Sequence, residues 1–311
     1  MNETRLGPLV LEPILVERIW GAQELPQPYP QPQPGKPIGE VWLTAEECKI
    51  CGRSDMDGKT LAEVSKEHVA SLGAEHGFPL LLKILLPKEK LSVQVHPDDT
   101  EAQAMGQPRG KTECWYVLDA EPGAQVAVGL VEGVDTAAMK AAIADGSAED
   151  KMQKITVKAG DMVFVDAGTV HAIGPGMTVL ETQQYSDVTY RLFDYGRPRE
   201  LHVEQGLAVT KQHTKAGLVP PVHMEGFTRL VESAYFAVDS LQVSSSTLME
   251  LGHPDKLQVL VALADGVSAR CADGDVEVRL PRGQAVVFPA EGSSYHLRAH
   301  AAAEVIRVLQ P

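Results

Sequence analysis

Apolar and polar residues alternate along much of the chain, and the period of that alternation predicts most of its elements. In Leu91-Ser-Val-Gln-Val-His96 the apolar Leu91, Val93 and Val95 point to one face of a strand, and Ser92, Gln94 and His96 to the other. Gly110-Lys-Thr-Glu-Cys-Trp-Tyr116 places Lys111, Glu113 and Trp115 on one face and Thr112, Cys114 and Tyr116 on the opposite one. Further runs rich in β-branched and aromatic residues, Cys114 to Leu118, Lys154 to Val157 and Met162 to Val165, read as strands punctuated by Gly, Pro and Asp. Spacing of three to four among Leu61, Val64, His68/Val69 and Leu72 predicts a short amphipathic helix from Leu61 to Glu75. Helices are also expected at Thr136 to Ala144, at His202 to Thr210, and at Thr100 to Met105, where Asp98 and Asp99 provide a cap. The N-terminal part, to about residue 55, reads as irregular, with six prolines between Pro26 and Pro37 forming a surface loop. Around Lys211 to Met224, with Pro220-Pro221, a linker is expected before a second β-rich region.

The two β regions share a faint repeat. Gly160-Asp-Met-Val-Phe-Val-Asp-Ala-Gly168 aligns without a gap with Gly283-Gln-Ala-Val-Val-Phe-Pro-Ala-Glu291, which suggests duplication. Many short strands at regular spacing read as a mainly β protein of two jelly-roll barrels with a few short attached helices. The expected division is 1–215 for the N-terminal region with a first, chemically active barrel, and 216–311 for a degenerate second one.

Composition narrows the partners. The 311 residues carry 42 acidic against 28 basic side chains, a net charge of -14, so duplex phosphates and anionic lipid meet repulsion over most of the surface. Aromatic residues at 5% also argue against a base-stacking platform, so no nucleic acid and no membrane partner is expected. The longest apolar run, Pro79 to Pro87, contains Lys83 and is far too short to span a bilayer. No secretory signal is readable, and four irregularly spaced cysteines suit a reducing cytoplasm. Cys48-x2-Cys51, without a second pair, reads as incidental. The sequence leaves the oligomeric state open.

The candidate chemistry lies in three separated segments. Gly160-x5-Asp166-x-Gly168-x2-His171 resembles the second motif of the cupin superfamily, Gly-x5-Pro-x-Gly-x2-His-x3-Asn, with Asp166 in place of the proline and Pro175 in place of the asparagine. Its glycines turn a tight hairpin that delivers one imidazole to the mouth of a cupin-like barrel. Together with Gln94, His96 and Glu113, His171 completes a set of two imidazoles, a carboxylate and an amide oxygen. Such a set is a metal site, for zinc with an open coordination position or for non-haem iron(II). In the second barrel Ser294 stands at the position of His171, with His296 two residues on, so that barrel is expected to bind no metal.

Four ordered blocks extend the resemblance. Leu91-Ser-Val-Gln-Val-His-Pro-Asp-Asp99, Gly110-Lys-Thr-Glu-Cys-Trp-Tyr116, Gly168-Thr-Val-His-Ala-Ile173 and Glu181-Thr-Gln-Gln-Tyr-Ser-Asp-Val-Thr-Tyr-Arg-Leu-Phe-Asp194 resemble the signatures of type I mannose-6-phosphate isomerases of the short bacterial form. Trp20-Gly21 and Gly39-Glu40-x-Trp42 add to the likeness, which covers about the first two thirds, although Ala22 departs from the family's second glycine. The resemblance implies interconversion of mannose 6-phosphate and fructose 6-phosphate through an enediol. It also implies one zinc ion per chain on His96, Glu113 and His171, with Gln94 as a further ligand. Arg191 then matches the family's catalytic arginine, with Lys111 facing the substrate and Asp187 as a second acid/base candidate. Positive charge from the cation, Lys111, Arg191, Arg197 and Arg199 has to dominate the pocket if an anionic sugar phosphate is to enter. An iron(II) cupin dioxygenase and a non-catalytic sugar-phosphate sensor are the rival readings.

Overall fold

A computed structural model describes residues 6–52, 55–246, 248–272, 277–290 and 293–311. The chain is mainly β, and its strands pair antiparallel throughout the registers described. It divides into two compact units that interleave along the sequence rather than meeting at residue 215. One combines 1–14, 42–82 and 220–311; the other combines 15–41 and 83–219. The N-terminal region therefore does not belong wholly with the first barrel.

In the unit formed by 15–41 and 83–219, two antiparallel sheets enclose the core in a cupin-like jelly roll. One sheet places Glu113–Ala120 between Met162–Val165 and Met177–Gln184. The other runs in the order Tyr190–Phe193, Val93–Val95, His171–Ile173, Gln125–Leu130, Met152–Thr156. Leu91, Trp115, Val117, Val126, Val163 and Val179 pack between the sheets. On the outer face of the five-stranded sheet, Val93, Val95, Ala172 and Leu192 pack with Met139 and Val209, from the helices Thr136–Asp145 and Val203–Val209. These apolar residues turn one face of their strands outward, so Gln94 and His171, which alternate with them, must turn inward. The strand begins only at Val93, and Leu91 packs in the inner core rather than beside Val93 and Val95.

The other unit has its own core of Leu241, Val243, Leu260, Val267, Val286, Phe288 and Val305. Its eight-stranded sheet recruits Leu9–Leu11 beside Ala285–Phe288, with Leu9 opposite Val287. That pairing corrects the expectation of an irregular N-terminus, which also holds the strands Ile14–Ala22, Ile38–Trp42 and Ile50–Cys51. The expected linker likewise contains the strands Gly217–Val219 and Val222–Met224. The helix expected at 61–75 is two, Leu61–Glu67 and Val69–Leu72, broken at His68 and closed by left-handed Gly73. In the repeat, Glu291 lies outside the described residues. Cys48 is buried and Cys51 half-buried, and both are free thiols.

Candidate active site

Among the described residues, His96, Glu113 and His171 form a buried group whose ligand atoms all lie within 4.8 Å of one another. Sheet register brings them together. His171 and Arg191 both stand opposite Gln94, on its two flanking strands, so Arg191, Gln94 and His171 form one row across the sheet. Glu113 opens a strand of the facing sheet, opposite Val165 and Gln183. His96 follows Val93–Val95 and is tied to the His171 hairpin by the Gly168 N–H, which donates to the His96 carbonyl at 2.8 Å. In that hairpin Gly168 adopts φ +88°, and Asp166, in the motif's proline position, accepts from the Thr169 hydroxyl at 3.0 Å and the Lys215 amide at 3.0 Å.

Each imidazole is locked in one tautomer. His96 Nδ1 donates to the Val188 carbonyl at 2.9 Å, and His171 Nδ1 donates to the Thr169 carbonyl at 2.8 Å. Both rings therefore turn an unprotonated Nε2 toward Glu113, with Nε2 to carboxylate distances of 3.5 Å for His96 and 3.4 Å for His171. Two ligands about 2.0–2.1 Å from a tetrahedral zinc stand about 3.3 Å apart, so these donors have the spacing of a coordination shell. Glu113 Oε2 is buried with the Lys111 ammonium 3.0 Å away as its charge partner, so the carboxylate is held ionised and keeps lone-pair capacity toward the two imidazoles, where a cation would sit. The residues present fit a metal. The Gln94 amide nitrogen lies 3.2 Å from His171 Nε2; presenting its oxygen instead requires turning the amide over.

Burial holds both histidines neutral. It pushes His171 down to about 4 and His96 well below the ordinary imidazole value, with the Lys111 ammonium adding to both shifts. Lys111 Nζ sits 3.1 Å from His96 Nε2 and 3.0 Å from Glu113 Oε2. Burial alone lowers its pKa, but Glu113, Glu181 and Asp187 outweigh that effect and raise it, so Lys111 remains an ammonium.

Gln94 and Lys111 also line a cavity of about 480 Å³, shared with Trp20, Glu40, Lys83, Glu181, Asp187, Thr189, Arg191 and Arg199. Asp187 is exposed there, whereas Arg191 is half-buried. Arg191 pairs with neither Asp187 nor Asp194. Its Nη1 donates to the Glu200 carbonyl at 2.9 Å, and its Nε is buried without a hydrogen-bond partner. Arg199 faces the cavity while held by two 2.6 Å bonds to the Asp194 carboxylate. Arg197 does not line this cavity; it reaches the Lys90 carbonyl at 2.6 Å and lies 5.6 Å from the centre of the Tyr195 ring.

The sequence reading gave no role to several residues that complete the site. The Trp115 indole N–H is shared between Glu113 Oε1 at 3.1 Å and Glu181 Oε1 at 3.3 Å. Lys83 lies 3.7 Å from Glu181 and 3.9 Å from Glu40, and Arg18 donates to both Glu40 oxygens. A single lysine inside the otherwise apolar strand Leu80–Leu85 is the signal that points to this group.

Two histidines, a glutamate and an adjoining polar cavity inside a jelly roll make a candidate metal site of the kind a cupin-type enzyme carries. Residues 9–134 match the family described as phosphomannose isomerase type I, catalytic domain, a stretch that holds Gln94, His96, Lys111 and Glu113. A mannose-6-phosphate isomerase of Streptococcus mutans is 36% identical over 91% of this chain and 92% of its own. One from Bacillus subtilis is 32% identical over 94% of this chain and 96% of its own. The crystal structure of the mannose 6-phosphate isomerase from Bacillus subtilis has a TM-score of 0.86 at 29% identity, covering 97% of this chain and 99% of that one. The chain belongs to the type I phosphomannose isomerases, and is an aldose-ketose isomerase. Among the described residues no helix is long and apolar enough to cross a membrane.

Proposed function

We propose that this enzyme interconverts mannose 6-phosphate and fructose 6-phosphate through an enediol, with one zinc ion held by His96, Glu113 and His171 and by the amide oxygen of Gln94. The observation that carries the reading is the preformed His96, Glu113 and His171 cluster, adjoined by the same Gln94 and Lys111 that line a cavity of about 480 Å³. When bound, the cation supplies a Lewis acid for the substrate's oxygens.

The protein's own residues supply the rest. Lys111, held protonated between carboxylates, donates a hydrogen bond to a sugar oxygen rather than removing a proton. Asp187, exposed at the cavity wall, is the group assigned to carry a proton between adjacent sugar carbons. Arg191, on the cavity wall, brings its fixed positive charge to the developing oxyanion or to the phosphate. Arg199, oriented by Asp194, adds positive charge at the same wall. The proposed compartment is the cytoplasm, in keeping with four free cysteines. A coupled assay for fructose 6-phosphate formed from mannose 6-phosphate, run before chelation, after it and after zinc is returned, tests the reading. Activity indifferent to chelation overturns the zinc assignment, and no conversion in the zinc-loaded enzyme overturns the reaction.

A further inference from the structure

Residues 110–112, which carry Lys111 and lead into Glu113, belong to no strand or helix. Such backbone has no ladder of its own, so its polar groups need other partners. Here the partners come from segments beside the ligands: Pro97 and Asp99 just after His96, Ala167 ahead of His171, and Gln184 on the strand paired with that of Glu113. The Gly110 N–H donates to Asp99 Oδ1 at 2.8 Å, and the Lys111 N–H to the Pro97 carbonyl at 3.0 Å. The Thr112 N–H donates to Gln184 Oε1 at 2.9 Å, and the Gln184 N–H donates back to the Thr112 carbonyl at 3.1 Å. Thr112 Oγ1 accepts from the Ala167 N–H, beside the His171 hairpin, at 3.3 Å.

One side-chain bond closes the arrangement: Gln184 Nε2 donates to Asp99 Oδ1 at 2.9 Å. The same Asp99 oxygen thus receives both the Gly110 amide and the Gln184 amide. The approach is close enough to require glycine. A Cβ on Gly110 would stand 2.4 Å from the Asp98 carbonyl carbon and 2.6 Å from the Pro97 oxygen, both backbone atoms that cannot swing aside. Gln184 and Thr112 are buried, so none of these bonds is exchanged for water without cost. Neither Asp99 nor Gln184 lines the cavity.

From this geometry we infer that Asp99 and Gln184 are positioning residues. Their hydrogen bond clamps the 110–112 segment and so sets Lys111 Nζ against His96 and the Glu113 carboxylate against both imidazoles. The clamp deepens the metal-site reading and rests on it. Gln184 stands in the Glu181-Thr-Gln-Gln184 block noted in the sequence, where the ligand set left it without a task. Outer groups of this kind hold ligands at their coordination angle, and their loss costs about 10–100-fold in metal affinity or activity.

The test uses the full-length, zinc-loaded enzyme and compares Asp99→Asn, Gln184→Glu, Gln184→Ala and the Asp99→Asn/Gln184→Glu pair. Zinc loss to EDTA is followed with a chromogenic indicator, alongside kcat, KM and thermal unfolding of the metal-free form. In the wild type the amide donates to the carboxylate. Gln184→Glu alone sets two carboxylates face to face, whereas the paired exchange restores a donor and an acceptor with the net charge conserved. The expected result for Gln184→Glu and Gln184→Ala is zinc loss faster, and kcat lower, by about 10-fold or more, with KM within about 3-fold. The paired exchange should recover part of both losses relative to Gln184→Glu, the sign of a direct coupling, since the contact between positions 184 and 99 returns while the Gly110 N–H loses its acceptor. Gln184 variants that keep zinc and kcat at wild-type levels overturn the inference, as does a paired exchange no better than Gln184→Glu. Should Gln184→Ala fail to fold, the paired exchange still decides against Gln184→Glu, because it restores the donor–acceptor contact between positions 184 and 99 and the net charge, losing only the Gly110 N–H bond to Asp99. Wild-type protein that holds no zinc sinks the metal reading itself, a result distinct from failure of the clamp.

Discussion

The imidazole rings of His96 and His171 lie 4.8 Å apart, centroid to centroid, with their planes inclined at 49°, and each keeps its proton on Nδ1 against a backbone carbonyl. Metal binding to such a pair displaces almost no protons. Burial favours the neutral form, so His171 stays neutral down to about 4, with His96 also far below its ordinary value. Two ordinary imidazoles of pKa 6.5 would release about 1.5 protons on binding a cation at pH 6. The folded protein should release fewer than about 0.3 from its histidines, whose contribution to the pH dependence of zinc affinity is nearly flat from pH 8 to about 5 and falls below that as His171 protonates. Calorimetry of zinc binding in buffers of different ionisation enthalpy measures the proton count. A count near 1.5 at pH 6 that falls toward zero by pH 8, as for two ordinary imidazoles, contradicts the burial that holds these histidines neutral.

Trp115 is the fully buried donor that steadies two carboxylates at once. Trp115→Phe keeps the ring against His171, where the indole now makes an edge contact with centroids 5.6 Å apart, but removes the N–H. Glu113 and Glu181 then each lose a buried hydrogen-bond donor and keep only Lys111 and Lys83 as partners. Zinc affinity should fall by about 10–100-fold, with the fold retained. Competition against a chelating indicator gives the affinity, and a dissociation constant equal to that of the wild type would show that the indole does not support Glu113.

Much of this site can be read along the chain, and the reason is local. Gln94, Glu113 and His171 sit on or at the start of strands whose apolar neighbours declare which face is inside, and Asp98 caps its helix through a reciprocal box with Glu101. What stays hidden depends on strand order. Lys83, Glu40 and Glu181 meet only because their strands lie on one side of a sheet built from distant segments. Nothing within Leu80–Leu85 says which carboxylate Lys83 will find. The N-terminal strand Leu9–Leu11 is similarly opaque, because its partner near Val287 lies at the far end of the chain. Gly217–Val219 and Val222–Met224 are too short for alternation to reveal, and two prolines between them imitate a linker.

Arg191 holds its place through the planar fork of its guanidinium, with Nη1 on the Glu200 carbonyl and Nε left over. Arg191→Ala should leave zinc content unchanged, since its side chain hydrogen-bonds to none of His96, Glu113, His171 or Gln94, and should lower kcat/KM by about 100–1000-fold, the scale of losing one oxyanion donor. Arg191→Lys should recover little, because an ammonium cannot satisfy Glu200 and project a second donor in the same plane. Elemental analysis beside steady-state kinetics separates the two effects. Normal turnover in Arg191→Ala removes the residue from catalysis, and loss of zinc reassigns it to the metal shell.

The strongest test of the other unit lies in its buried charges. Asp239 is fully buried, accepts two bonds from Arg307 at 3.1 and 2.7 Å, and also pairs with Arg229. Arg307 is itself buried and stacks over Phe227 at 5.1 Å. Removing the one carboxylate leaves the deeply buried Arg307 guanidinium with only the Leu251 carbonyl, and Arg229 with Glu232 alone. Breaking a buried pair from one side typically costs about 3–5 kcal/mol, whereas replacing all partners by apolar residues of similar volume can be neutral. Asp239→Ala should therefore lower the denaturant midpoint by an amount equivalent to about 3–5 kcal/mol, and Asp239→Ala combined with Arg307→Leu and Arg229→Leu should recover much of it. Equilibrium unfolding in urea measures both. A single variant as stable as the wild type would mean that water or a rearranged side chain already satisfies Arg307, and a triple variant no better than the single would mean that packing, not stranded charge, carries the cost.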